Sequence, residues 1–242
     1  MNERIMQKQI SEFLSDSERR SVPMSINERS LEVFGNEKFL ASSECKKILH
    51  KYGVSESIFN TYPTPEPFIY YLCDNESQDI LIIENKDTWY TMRKILMETK
   101  SVCNHKFKAL IYGEGRKIQS SFAYIESEDM KLLKPLGTIY YFGDIDSSGV
   151  DILCRLVEQY PGYHILPFIS GYQFLYKNRH LGRTKDLQLS IKITYKELSI
   201  LNFLGETAID DLYYLCNHDY IIPQEIVNYS VLKKWNNIHQ TK

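Results

Sequence analysis

Four short apolar runs, separated by segments with helical spacing, are the feature that most constrains the fold of this chain. The runs are DILIIE (79–84), FKALIYG (107–113), TIYYFGD (138–144) and YHILPFI (163–169). Apolar residues recur at helical spacing between them. Strands that alternate with helices form right-handed crossovers and a parallel sheet. The pattern predicts an α/β fold with a mainly parallel central sheet flanked by helices, followed by a helical C-terminal part.

Three prolines interrupt the chain ahead of the first run, at Pro63, Pro65 and Pro67. Proline cannot continue a helix or occupy a central strand. We therefore predict a domain boundary here, with a small helical N-terminal segment over 1–62 and the α/β domain over 63–242.

Composition excludes some classes of protein. The chain has 242 residues, of which 43% are hydrophobic and 25% charged, as expected for a globular protein with a substantial core. No apolar run approaches the ~20 residues of a membrane-spanning helix, and the N-terminus lacks a secretory signal. These features predict a cytoplasmic protein without membrane contact. The net charge of −2 means that any contact with nucleic acid must come from a local basic surface.

Three acidic residues fall where predicted strands end. Glu84 terminates the first run, Asp144 terminates the third, and Asp146 follows two residues later. The carboxyl ends of parallel strands meet at one edge of the sheet, where functional groups collect. Three carboxylates that repel one another there would be neutralised by a hard divalent cation. We expect these acids to bind Mg²⁺, or alternatively Mn²⁺.

Each acid taken alone has a simpler interpretation as a residue that caps a helix or forms a turn. The glycines at Gly143 and Gly149 favour a binding site, because they allow a sharp turn and the close approach of a ligand. The helix after Asp146 is predicted to have Ser147 or Ser148 as its N-cap.

The chain contains, in this order, the motifs IENKDTW (83–89), YGEG (112–115) and YFGDIDSSG (141–149). Together these motifs resemble the Toprim domain of the Wadjet JetD family, relatives of the topoisomerase VI A subunit. The segments NERSLEVFGNEKFL (27–40), FIYYL (68–72) and IIPQEIV (221–227) resemble flanking parts of the same family. The resemblance implies a homodimeric nuclease that cuts plasmid DNA in bacterial defence and is recruited by an SMC-type motor complex.

The chain departs from the family pattern in two places. Full family members have a longer N-terminal arm, so residues 1–62 are expected to be a winged-helix-like remnant. The family carries a further acidic patch before its I-P-Q segment, where this chain reads CNHDYIIPQE (216–225) and Asp219 is the candidate.

For metal-assisted phosphodiester hydrolysis, Asp144 and Asp146 are assigned to the metal and Glu84 to metal binding or proton transfer. A local basic cluster after the fourth run is a candidate DNA contact, although such a cluster is often a solvated loop. The candidate DNA-binding residues in this cluster are Lys177, Arg179, Arg183 and Lys185, with His180 among them. Lys86 and Arg116 are separate candidates that could face the phosphate.

Two other functions remain open. Topoisomerase relatives cleave DNA with a tyrosine nucleophile, but Tyr52 and Tyr62, upstream of the predicted Toprim domain, lack an arginine-flanked Tyr-Tyr context. Water is therefore the expected nucleophile. The other alternative is a DNA-binding subunit of a defence complex that has no catalytic activity.

Overall fold

A computed structural model describes residues 3–73, 76–127, 130–131, 133–134, 136–185 and 191–240, with side chains described up to Asn236. The chain divides into two compact units, Met1–Pro65 and Glu66–Lys242.

The N-terminal unit is mainly helical. Its elements are α1 (Glu3–Ser15), α2 (Ser17–Ser21), β1 (Met24–Ser25), α3 (Ile26–Phe34), α4 (Ser43–Lys51) and β2 (Thr61–Tyr62), with a 3₁₀ turn at Glu56–Phe59. The two short strands pair in parallel. Phe13 stacks on Phe59, and the fully buried Arg29 donates from Nε to the Phe59 carbonyl at 2.9 Å. This unit therefore has an apolar core of its own.

The C-terminal unit alternates strands and helices. Its elements are β3 (Tyr70–Leu72), β4 (Ile80–Ile83), α5 (Lys86–Thr99), β5 (Ala109–Tyr112), α6 (Ile118–Ser121), β6 (Ile139–Phe142), α7 (Ser147–Gln159), β7 (Ile165–Pro167), α8 (Ile169–Lys177), β8 (Arg183–Thr184), α9 (Tyr195–Leu198), α10 (Glu206–Asn217), β9 (Tyr220–Ile221) and α11 (Tyr229–Gln240). Short 3₁₀ turns lie at Gly115–Lys117, Phe122–Glu126, Arg179–Leu181, Ser199–Leu204 and Gln224–Ile226.

The central sheet has the order β3-β5-β4-β6-β7. Strands β5, β4, β6 and β7 are parallel to their neighbours, and β3 is antiparallel to β5. All four predicted strands are present, so the predicted α/β class with a mainly parallel sheet flanked by helices is confirmed. The edge strand β3 was not predicted, because the neighbouring prolines indicated a break in regular structure.

Alternating side chains of β4 face two apolar cores, one on each side of the sheet. Leu81 and Ile83 lie in the core shared with α5, α8, α10 and α11. Ile80 and Ile82 lie in the core shared with α6 and α7. A strand buried on both faces reads as a continuous apolar run, which explains the sequence ILII. Among the described residues, no helix is both long and apolar enough to cross a membrane.

Candidate active site

The sheet register places Glu84 beside the end of β6. Ile83 of β4 pairs with Phe142 of β6, and the Glu84 backbone N–H donates to the Phe142 carbonyl at 2.9 Å. Glu84 and Asp144 therefore leave adjacent strands at the same carboxyl edge, as the sequence predicts.

Glu84 is half-buried in a setting that disfavours its charged form. Burial, followed by repulsion from Asp144, raises the pKa of its carboxyl from 4.5 to about 8. The hydroxyl of Tyr141, a fully buried residue, donates to Glu84 Oε2 at 2.8 Å and offsets part of that rise. A carboxyl with this pKa can hold or release a proton near neutral pH.

Asp144 is also half-buried, and a segment distant in the sequence contacts it. Its Oδ1 accepts a hydrogen bond from the Gln224 backbone N–H at 2.6 Å. Burial raises the pKa of this carboxyl to about 7, and Asp146 and Glu225 add repulsion. Within the described residues Asp144 Oδ2 accepts no hydrogen bond, which leaves one oxygen for a ligand.

Asp146 is buried and has two protein partners. It is the N-cap of α7, with Oδ1 accepting from the Gly149 N–H at 2.7 Å. The predicted N-cap, Ser147 or Ser148, is therefore wrong, because the carboxylate of Asp146 already accepts from the N3 amide. Its other oxygen, Oδ2, lies 2.5 Å from Lys185 Nζ. The ammonium group of Lys185 neutralises the acid from within the protein.

The two glycines that flank the acids are required for space. A Cβ at Gly143 would collide with Glu84 Oε2 and lie 3.0 Å from the Tyr141 ring. A Cβ at Gly149 would collide with the Asp144 carbonyl and lie 3.4 Å from Glu84 Oε2. Any side chain at either position would push the acids out of place.

Glu84 and Asp144 open into a cleft of about 330 Å³ that Asn85, Lys86, Asp87, Tyr112 and Gly115 also line. Lys86 is the first residue of α5 and is exposed, so its ammonium group can reach a ligand in this cleft. The cleft offers acidic oxygens at its base and a cation at its rim.

The donor chemistry of this edge suits a divalent cation, because carboxylate oxygens are ligands that Mg²⁺ prefers. However, within the described ranges no group of three or more His, Cys, Asp or Glu residues could hold a metal ion as placed. Asp146 is shared between Gly149 and Lys185. A cation held by all three acids would therefore compete with the Lys185 ammonium group for Asp146.

The predicted DNA-binding residues have different surroundings in the structure. Arg116 donates from Nη1 to the buried Asp151 at 2.6 Å, and Arg179 pairs with Asp211 at 2.6 Å. Arg183 is exposed on β8. Lys177, at the end of α8, lines a groove with Lys234 and Trp235 of α11. Lys185 faces the acidic edge.

The segment around β9 supplies residues that the sequence did not predict for the site. Gln224 is fully buried; its Nε2 donates to the Phe142 carbonyl at 2.6 Å, and its Oε1 accepts from the Asn85 N–H at 2.9 Å. Glu225 accepts from Asn85 Nδ2 at 2.7 Å. The IIPQEIV motif was the available signal, but a sequence separation of 80 residues from Asp144 gives no contact by itself.

Asp219 has a left-handed backbone, with φ 57°, and its carbonyl accepts from the Lys185 N–H at 2.8 Å. Glu225, rather than Asp219, is the acid of this segment that raises the pKa of Asp144.

The fold and this edge define an α/β domain with a cluster of acids at the carboxyl ends of two central parallel strands. Residues 71–188 match the family described as Wadjet protein JetD, C-terminal. The matched region is just under half of the chain, and it confirms the predicted resemblance to the Wadjet JetD family. It contains Glu84, Asp144, Asp146 and Lys185. No curated protein matches the chain.

Proposed function

We propose that this chain is a divalent-metal-dependent DNA endonuclease of the Toprim type that acts in bacterial defence against plasmids. The observation that carries the proposal is the meeting of Glu84 and Asp144, both with raised pKa values, beside Asp146 at the carboxyl edge. The match to the Wadjet JetD family supports the role in defence.

In this proposal Glu84 and Asp144 hold the cation, and Asp146 joins them once Lys185 has moved away. The bound cation, Mg²⁺ or Mn²⁺, would offset charge on the phosphate and activate water. Tyr141 orients Glu84 through its hydrogen bond. In the alternative arrangement, in which Asp144 and Asp146 hold the cation, Glu84 with its raised pKa of about 8 would move a proton at the attacking or leaving oxygen. Lys86 at the rim of the cleft would contact the phosphate backbone.

The resemblance to the JetD family further suggests a homodimer that works with an SMC-type motor complex on plasmid DNA. A motor complex can control access to DNA. We therefore expect the isolated chain to cleave DNA too slowly to account for plasmid restriction in cells.

The test uses purified protein with supercoiled and linear plasmid in Mg²⁺, Mn²⁺ or EDTA. Asp144→Asn should abolish cleavage, and Glu84→Gln should reduce it at least a hundredfold, the lower range for loss of an acid–base group. Asp210→Asn, at an exposed position of α10, is the matched control and should cut as wild type does. Equal cutting by all variants would remove the acids from the site.

One observation favours the alternative of a DNA-binding subunit without catalytic activity. Asp146 is already ion-paired with Lys185. A protein that binds plasmid in every metal without cutting it, alone or with its motor complex, would favour that alternative.

A further inference from the structure

Two grooves flank α11, and lysine or arginine side chains line both of them. The first, of about 560 Å³, is lined by Lys177, Lys234, Phe174 and Trp235 among other residues. The second, of about 540 Å³, is lined by Arg93, Lys94, Tyr90 and Tyr229 among others. Every charged side chain that lines either groove is cationic. In a chain with a net charge of −2, this is a local concentration of positive charge.

The cations around α11 differ from three of the predicted DNA-binding residues, Arg116, Arg179 and Lys185, in having no acidic partner among the described residues. Within the described part of the chain, none of Arg93, Lys94, Lys177, Lys233 and Lys234 forms an ion pair. In contrast, Arg116, Arg179 and Lys185 are each paired with an aspartate. The four exposed lysines of this set are therefore available to an external anion, whereas Arg93 lies against the Tyr71 and Trp89 rings.

Two lysines meet at one aromatic ring. Lys94 Nζ lies 4.3 Å from the centre of the Tyr229 ring, and Lys233 Nζ lies 5.6 Å from it. Both ammonium groups add positive charge around this ring. Among the described residues neither forms an ion pair with Glu98, which accepts a hydrogen bond from the Tyr229 hydroxyl at 2.9 Å. An external anion near the ring would be attracted by both lysines.

Each groove also has aromatic side chains. Tyr90 is 57% exposed at the second groove, and Trp235 packs on Phe174 at 5.0 Å in the first. Lys233 and Lys234 are neighbours on α11, one beside Tyr229 and the other lining the first groove. Cations interleaved with aromatic rings are typical of surfaces that bind unpaired nucleic acid, because bases stack on the rings. An acidic peptide would need only the cations.

We propose that the face formed by α5, α8 and α11 binds a single strand of nucleic acid, with the lysines on its phosphates and the aromatic rings beside its bases. This contact goes beyond the proposed cleavage, since it requires neither a metal ion nor hydrolysis. The proposal also assigns Lys177 to this nucleic-acid-binding face, whereas Lys185 belongs to the acidic edge.

The test is binding of a labelled single-stranded oligonucleotide to the full chain in EDTA, measured by fluorescence anisotropy over a range of salt concentrations. The double variant Lys94→Gln and Lys234→Gln removes one cation from each groove. Loss of two phosphate contacts should lower the salt slope of log Kd by about 1.4 and the affinity about tenfold. The matched control, Lys47→Gln with Lys196→Gln, changes two other exposed lysines and should bind as wild type does.

Tryptophan fluorescence gives a second measurement. Of the two tryptophans, Trp89 is 5% exposed, so quenching by the oligonucleotide should come from Trp235 and disappear in Trp235→Phe. Unchanged affinity of the double variant would overturn the proposal. Competition by polyglutamate as strong as that by the oligonucleotide would also overturn it, in favour of an acidic protein partner. Because no metal is present, neither result depends on whether the acidic edge cleaves DNA.

Discussion

At the scale of single residues, Lys185 is the group with which a cation at the acidic edge would compete for Asp146. Its ammonium group and the Asp146 carboxylate form an ion pair with side chains only 13% and 6% exposed. Removing one partner of a buried pair leaves an uncompensated charge. We expect Lys185→Met to lower the free energy of unfolding in EDTA by about 3 kcal/mol. Mg²⁺ should then restore stability, because the cation no longer competes with an ammonium group for Asp146.

Thermal melting in EDTA and in increasing Mg²⁺ measures both effects. The variant should be stabilised at lower Mg²⁺ concentrations than wild type, since a cation that binds only the native state raises Tm by mass action. Lys196→Met, at an exposed lysine of α9, is the control. A low Tm in EDTA that Mg²⁺ does not raise would mean that Lys185 is purely structural.

Glu84 gives the edge a dependence on pH. The folded protein raises the pKa of this carboxyl from 4.5 to about 8, so between these values the native state binds more protons than the unfolded state. Stability should therefore fall as pH rises through this range. Glu84→Gln keeps a hydrogen-bond acceptor for Tyr141 but cannot ionise, so its stability in EDTA should fall less between pH 5 and 8.

Denaturant unfolding at several pH values measures this difference, with Glu158→Gln as a control at an exposed position of α7. Parallel pH profiles for wild type and Glu84→Gln would show that Glu84 does not titrate in this range.

At the scale of elements, the turn after β9 holds the two acid-bearing strands together. Gln224 bonds to the backbone on both sides of the site, at Phe142 and at Asn85. Gln224→Ala removes both bonds and leaves buried groups unpaired, which should cost about 2–3 kcal/mol of stability. The backbone amide hydrogen of Asn85 should also exchange with solvent faster in the variant.

Hydrogen exchange followed by NMR tests this directly, and Gln159→Ala at the exposed end of α7 is the control. If the Asn85 amide keeps its protection in Gln224→Ala, Gln224 does not position the strand end that carries Glu84.

The strands and their acids could be predicted because their signals are local. Each parallel strand is a continuous apolar run, and Glu84 and Asp144 follow two of these runs directly. The contacts of Gln224 and the Lys185–Asp146 pair could not be predicted, since they depend on how β8 and β9 return to the sheet edge. For the same reason, the sequence did not predict that Arg179 pairs with Asp211 and Lys185 with Asp146, because proximity along the chain does not specify such contacts.

At the scale of the whole molecule, the residues required by the two cleavage mechanisms lie in different units of the chain. The candidate tyrosines, Tyr52 and Tyr62, lie in the N-terminal unit, whereas all three acids lie in the C-terminal unit. The Tyr52 hydroxyl donates to Glu3 within its own unit. A tyrosine mechanism requires both units to act on one phosphodiester, but hydrolysis by water requires only the acids.

We therefore expect cleavage to leave no protein attached to DNA, and Tyr52→Phe and Tyr62→Phe to keep wild-type activity. Phenylalanine preserves the ring and removes only the nucleophilic oxygen, so an inactive variant with an unchanged Tm would identify the nucleophile. A denaturing gel of end-labelled DNA after reaction provides the measurement, with Asp144→Asn as the uncut control. Label that migrates with protein and is released by protease would contradict hydrolysis, because a covalent tyrosine link survives denaturation whereas a metal-held DNA end does not.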